Sequence, residues 1–177
     1  GIELRPSSAA QQPRTAASSI NSKDVTMKIS FRITALLFAA AVAQPVLAAD
    51  CEFTVGAGDL LKFDVAEMSA SASCSTVKVT LNHVGNLNAQ VMGHNWVLAK
   101  TSDVQGVAGD GMTAGAASGY VKSGDARVIA ATAIIGGGES TSVEFAVADL
   151  VVGGDYTFFC TFPGHSFVMQ GKFKLNA

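Results

Sequence analysis

The sequence predicts an all-β fold, a two-sheet Greek-key sandwich with a short helical excursion around residues 102–119. Three observations carry that expectation. Short runs rich in Val, Phe, Thr and Tyr recur at close spacing, clusters of Gly, Asn, Asp and Ser separate them, and two of the runs alternate. In the first, Val77, Val79 and Leu81 interleave with Lys78, Thr80 and Asn82; in the second, Val143, Phe145 and Val147 interleave with Glu144 and Ala146. One face of each is therefore buried and the other wet, as in an antiparallel sheet.

Taken in order, the strand candidates are Glu52–Val55, Leu60–Phe63, Val77–Asn82, His94–Ala99, Ala126–Ala131, Ser142–Val147, Tyr156–Cys160 and Gly171–Leu175. Ser102–Gly119 breaks the series. Ser102 and Asp103 can cap a helix, but Gly106, Gly109, Gly111 and Gly115 limit it to one or two turns. Gly136-Gly137-Gly138 is too glycine-dense for a strand, and Gly153-Gly154 reads as the turn before Tyr156. Neither has the strand-to-helix setting of a phosphate cradle.

With 177 residues the chain has room for one ordinary domain and a leader, not for two separate cores. Met27, Lys28 and Arg32 precede an apolar run from Ile33 to Ala43, and Pro45, Ala48 and Ala49 close it. That is the pattern of a secretory signal, with cleavage expected after Ala48. The expected organisation is an upstream polar segment at 1–26, a signal peptide at 27–48 and a single mature domain at 49–177. Thr34, Gln44 and Pro45 interrupt the run short of the roughly 20 apolar residues a membrane helix needs, so no stable membrane insertion is expected after cleavage. From Ala49 onward seven Lys/Arg stand against twelve Asp/Glu, with no basic run to follow a phosphate backbone, which argues against nucleic acid as a partner.

Export places the cysteines in an oxidising compartment, where an odd count leaves one thiol over. Three cysteines allow three pairings. Cys160, between two aromatics and a Pro-Gly-His, reads as the odd one. A Cys51–Cys74 bridge would pin the first strand and contribute about 3 kcal/mol.

The chemistry is concentrated in Cys160-Thr-Phe-Pro-Gly-His165-Ser-Phe-Val-Met169. A thiolate, an imidazole and a thioether lie within ten residues, and Pro163-Gly164 supplies a turn able to bring them together. A thiolate favours Cu(I), imidazole serves Cu(II), and a weak thioether commits the site to neither, which suits one-electron transfer. A trigonal site needs a second imidazole, and His94, opening a strand after Gly93, is preferred to His83, whose Asn82-His83-Val84-Gly85-Asn86 setting reads as a packed turn. Trp96 reads as core.

Several stretches resemble the azurins, blue-copper proteins of the cupredoxin family: Ala49-Asp50-Cys51, Asn82-His83-Val84-Gly85-Asn86-Leu87, Val91-Met92-Gly93-His94-Asn95-Trp96-Val97, and Phe158-Phe159-Cys160-Thr161-Phe162-Pro163-Gly164-His165 with Met169. The resemblance spans nearly all of residues 49–177. It implies one copper ion held by His94, Cys160 and His165, with Met169 weakly axial and the Gly93 carbonyl a distant contact. It further implies that Asn95 holds the ligand loop and that Cys51–Cys74 is the structural disulfide. Leu87, Met92, Met112, Phe162 and Pro163 would form an apolar docking surface around the copper histidine. The implied partners are redox proteins such as c-type cytochromes, dehydrogenases or nitrite reductase, met in the periplasm by a monomeric carrier that is not an enzyme. Val84, where many azurins carry proline, and the bulky Phe167 depart from the family pattern without touching a ligand position.

Three other readings compete. A copper-delivery protein would favour exposed, exchangeable ligands, whereas Phe159, Phe162 and Phe167 hem this loop. Structural zinc gains little from a thioether. A Cys–His nucleophilic enzyme would leave Met169 without a role.

Overall fold

The computed structural model describes residues 50–177. The expected signal peptide and the segment upstream of it lie outside the described residues. Among the described residues there are eight strands: β1 (Glu52–Ala57), β2 (Glu67–Ser71), β3 (Thr76–His83), β4 (Val97–Lys100), β5 (Val128–Ala131), β6 (Ser140–Ala146), β7 (Tyr156–Phe159) and β8 (Gln170–Asn176). Two α-helices, α1 (Ala89–Met92) and α2 (Val104–Ala114), flank β4 in the chain. β1, β3 and β6 form one sheet, and β2, β8, β7, β4 and β5 form the other.

The alternating runs behave as their patterns require. Val77, Val79, Leu81 and His83 of β3 are buried, and β6 pairs antiparallel with it, setting Val77 opposite Phe145. Between the sheets Trp96 is wholly buried, its ring 5.8 Å from Phe158, 6.1 Å from Phe145 and 6.4 Å from Phe173. Its indole Nε1 has no hydrogen-bond partner among the described residues, so the aromatic cluster offsets a desolvated donor worth about 1–3 kcal/mol. Every residue of β7 is buried, as are Val97, Leu98 and Ala99 of β4. Both faces are covered: the sandwich core takes one, and α2 covers the other through Val104, Val107 and Ala108, packed with Val97, Ala99 and Phe159.

Several features differ from the sequence expectation. The sheets are mixed, because β1 runs parallel to β3 and β2 parallel to β8. An inward–outward alternation is the same in both senses of pairing, so the pattern does not distinguish them. Leu60–Phe63 is no strand; Leu60 is 78% exposed, Leu61 has φ 54°, and Phe63 alone bridges to Ala57. The strand is instead β2, Glu-Met-Ser-Ala-Ser, where Met68 and Ala70 face inward among residues of weak β preference. His94 precedes β4 rather than opening it, and Cys160 follows β7.

The helical excursion is longer than expected, since α2 has 11 residues, about three turns. Each interior glycine costs about 1 kcal/mol relative to alanine. Burial of Val104, Val107 and Ala108 outweighs that, and Gly111 is required because a Cβ there would lie 2.0 Å from the Tyr120 carbonyl oxygen. Arg127 ties the excursion down, its guanidinium 2.7 Å from Asp110 and 2.6 Å from Asp125. That pairing holds the Asp125 carboxyl at about 2. α1 escapes sequence reading because it is one turn long; the Asn88 side chain caps it, accepting from the Gln90 and Val91 amides at 3.1 and 3.2 Å.

Cys51 and Cys74 form a disulfide with a Cα separation of 5.8 Å, and Cys160 is the free thiol. The bridge joins the residue before β1 to the β2–β3 turn. Replacing both with alanine should therefore lower the unfolding free energy by about 3 kcal/mol, read as a lower denaturant midpoint. An unchanged midpoint would show that the clip restrains nothing.

Candidate metal centre

β4 and β7 run antiparallel with Val97 opposite Phe159, so His94 before one strand and Cys160 after the other meet at the same end of the sheet. Asn95 locks them together. Its Oδ1 accepts from the Thr161 amide at 2.8 Å, and its Nδ2 donates to Thr161 Oγ1 at 2.7 Å and to the Gly119 carbonyl at 3.3 Å. All of Asn95, Thr161, His94 and Cys160 are buried.

The loop after Cys160 folds back through successive turns. His165 N donates to Phe162 O at 3.0 Å, Met169 N to His165 O at 2.8 Å, and Cys160 N to Met169 O at 3.0 Å. Gly164 has φ 82°, the left-handed conformation that lets this turn form. His165 is thereby turned toward Cys160, and Met169 is wholly buried at the loop's end.

His94 is fixed on three sides. Its main chain exchanges hydrogen bonds with Ile135 at 2.9 and 3.0 Å, its Nε2 donates to the Gly58 carbonyl at 2.9 Å, and its ring stacks on His83 at 4.7 Å. His83 stands behind it. Its Nδ1 accepts from the Gly85 amide at 3.1 Å, and its Nε2 donates to the Met92 carbonyl at 2.8 Å, so both ring nitrogens are engaged in the turn. The packed reading of His83 agrees with this placement. Gly93 can only be glycine, since a Cβ would lie 2.4 Å from the Ala89 carbonyl; its own carbonyl oxygen is 4.0 Å from Cys160 Sγ.

Cys160 Sγ is 3.9 Å from His94 Nδ1 and 3.6 Å from His165 Nδ1, and the three donor atoms lie within 4.8 Å of one another. A trigonal ion with metal–sulfur and metal–nitrogen bonds of about 2.3 and 2.0 Å would separate sulfur from nitrogen by about 3.7 Å. The three side chains therefore fit a single metal ion. A thiolate with two imidazoles, and a buried methionine closing the loop, fits copper better than zinc or a hard cation.

Burial sets the protonation of the donors. It pushes the Cys160 thiol up to about 11, although the Asn95 and Phe162 amides directed at the sulfur pull the other way. Burial, with His94 adding to it, lowers His165 to about 4. His94 is likewise lowered by burial, partly offset by the Gly58 carbonyl. Both imidazoles thus stand ready as neutral donors.

Of the expected docking residues, Leu87, Met112 and Pro163 are exposed, and Met92 and Phe162 are half-buried. The Phe162 ring lies 4.7 Å from that of His165 and 5.4 Å from that of Tyr120. Phe167 is 70% exposed. Sequence reasoning missed Gly58 and Thr161, because the bonds they make are to residues 36 and 66 positions away and leave no local pattern.

A buried thiol flanked by two imidazoles at one end of a Greek-key sandwich defines a mononuclear copper protein. The chain belongs to the copper binding proteins of the plastocyanin/azurin family, whose family model matches residues 49–176. Azurin from Bordetella pertussis is 52% identical over 136 residues, covering 77% of this chain and 91% of that one. Azurin from Achromobacter denitrificans is 50% identical over 145 residues, 82% of this chain and 97% of that one. The azurin Az-iso2 of the methylotroph Methylomonas sp. strain J superposes with a TM-score of 0.70 at 48% identity, covering 73% of this chain and all of that one. The protein is accordingly a blue-copper electron-transfer protein that takes one copper ion.

The donor protonation states have a measurable consequence. At pH 7 the thiol is protonated and the imidazoles are not, so Cu(II) uptake by the metal-free protein should release about one proton. Release should climb above one as the pH falls below the ordinary imidazole range, because His94 and His165, both lowered by burial and His165 to about 4, then become charged and must also give up protons. Calorimetry in buffers of different ionisation enthalpy reads this directly, and release of two or more protons at pH 7 would show that the imidazoles are charged.

Proposed function

We propose that the mature protein, residues 49–177, is a monomeric periplasmic carrier of single electrons between redox proteins, and not an enzyme. In this reading His94 Nδ1, Cys160 Sγ and His165 Nδ1 are the equatorial ligands, Met169 is weakly axial, and the Gly93 carbonyl is a distant contact. Bound copper supplies the Cu(I)/Cu(II) couple. The observation that carries the reading is the spacing of the three donors, held by hydrogen bonds within the protein. Asn95, through Thr161, keeps the Cys160 loop against His94. Little rearrangement is then required when one electron arrives or leaves.

The periplasmic assignment rests on the signal-like segment at 27–48 and on the Cys51–Cys74 disulfide, which persists in an oxidising compartment. No helix among the described residues is long and apolar enough to cross a membrane. Partners such as c-type cytochromes, dehydrogenases or nitrite reductase suit a carrier of this kind. They would dock on Leu87, Met92, Met112, Phe162 and Pro163, with Phe162 in ring contact with His165.

Loading the protein with Cu(II) tests the ligand set. An intense visible thiolate-to-copper band should appear, and Cys160→Ser should abolish it, because a hydroxyl cannot supply the soft charge-donating sulfur. A colourless loaded protein, or a serine variant that stays blue, would refute the assignment.

A second test addresses the docking face. Met92→Lys should slow electron self-exchange between two copies, since like-charged faces must then meet, and added salt should restore part of the rate. The copper band should not move. Unchanged self-exchange in a folded, blue variant would place electron exit elsewhere.

A further inference from the structure

We propose that Asp59 is a positioning residue that fixes the orientation of His94. The consequence for copper rests on the blue-copper reading, but the effect on the ring does not. His94 Nε2 donates to the carbonyl of Gly58, in the loop between β1 and β2, so wherever that loop sits the imidazole must follow. The loop facing this stretch holds it on both sides of Gly58: before it, the Val84 amide donates to the Ala57 carbonyl at 2.7 Å, and after it the side chain of Asp59 closes the gap. Asp59 Oδ2 accepts from the Asn86 amide at 2.9 Å, and Oδ1 accepts from the Leu87 amide at 3.4 Å.

The facing loop is a firm wall. Gly85 N is held by His83 Nδ1, Gly137 N donates to the Leu87 carbonyl at 2.8 Å, and Gly138 N donates to the His83 carbonyl at 2.9 Å. The triple-glycine run lies against it so closely that a Cβ on Gly137 would sit 2.7 Å from the Gly85 carbonyl oxygen. On the other side the Asp59 carboxylate fills the space above Gly85, where a Cβ would come within 2.2 Å of Oδ1. Clamped between carboxylate and glycines, the loop gives Asp59 a fixed anchor, and Gly58 inherits its position.

An imidazole whose Nε2–H is held by a carbonyl keeps its Nδ1 lone pair aimed at the metal position, and such outer partners are typically worth 10- to 100-fold in metal affinity. The hydrogen bonds of Asp59 reach the ring through Gly58, and its charge is also near enough to act on the imidazole.

The test compares Asp59→Ala with Asp59→Asn. Asparagine can keep one acceptor, and alanine none. In the metal-free protein, NMR should show the His94 Nε2–H exchanging with solvent at least tenfold faster in D59A and two- to fivefold faster in D59N. In copper-loaded protein, release to a chelator should accelerate about tenfold in D59A and less in D59N, with Trp96 fluorescence unchanged. A folded D59A with parental ring exchange overturns the assignment; if D59A does not fold, D59N with parental exchange overturns it instead. Failure of the copper reading is distinguishable, because the parent would then show no blue band whatever the ring exchange does.

Discussion

The pair of short hydrogen bonds between Asn95 and Thr161 joins two parts of the chain that local structure would leave apart. On one side is the strand-end segment carrying Gly93 and His94; on the other is the loop carrying Cys160, His165 and Met169. The two segments are 66 residues apart in sequence, and the junction is buried, so water cannot substitute for either bond without opening the core. Without that link the β4–β7 ladder would still bring the two segments to one end of the sheet, but the Cys160 loop would lose its direct hold on the segment that carries His94. The aromatic core beneath, with Trp96 directly after Asn95, gives the junction a rigid base.

What could be read from the sequence follows from range of interaction. β3 and β6 were legible because alternation is local, and the Cys160–Met169 loop was legible because three donor types fall within ten residues around Pro-Gly. His94 as the remaining donor was legible only by comparing its setting with that of His83, and the structure puts the two rings in contact, which no spacing argument could show. β2 was hidden because Met68 and Ala70 are its only inward apolar side chains, while Leu60 and Leu61 nearby look more strand-like and turn out to form a bend. The length of α2 was underestimated because its glycines are tolerated for packing reasons, Gly111 against Tyr120 above all, that exist only in the folded chain. Thr161, Gly58 and Asp59 act across tens of residues through polar atoms that give no periodic signal.

The same burial that makes the donors effective also makes them dependent on metal. A neutral imidazole pair and a protonated thiol are the low-energy states of these side chains in an apolar pocket. Ionising the sulfur there requires a cation close by, so the ion and the deprotonated thiolate stabilise one another and neither is comfortable alone. Hard, strongly hydrated cations gain little from sulfur and imidazole, and the pocket offers no carboxylate among the donors grouped there.

The parallel pairing of β2 with β8 has a bearing on how the chain reaches this state. Met68 sits opposite Phe173, a partner made more than a hundred residues later, so the larger sheet lacks its edge until the last strand has been synthesised. Contacts of such long sequence separation slow folding, placing it in the range of milliseconds to seconds typical of β-sandwiches. The ligand loop lies between β7 and β8, so the pairing of those two strands fixes the separation of its ends. Cys160, His165 and Met169 are neighbours in the chain from the start, whereas His94 reaches its folded spacing from them only as the long-range pairing of β4 with β7 forms.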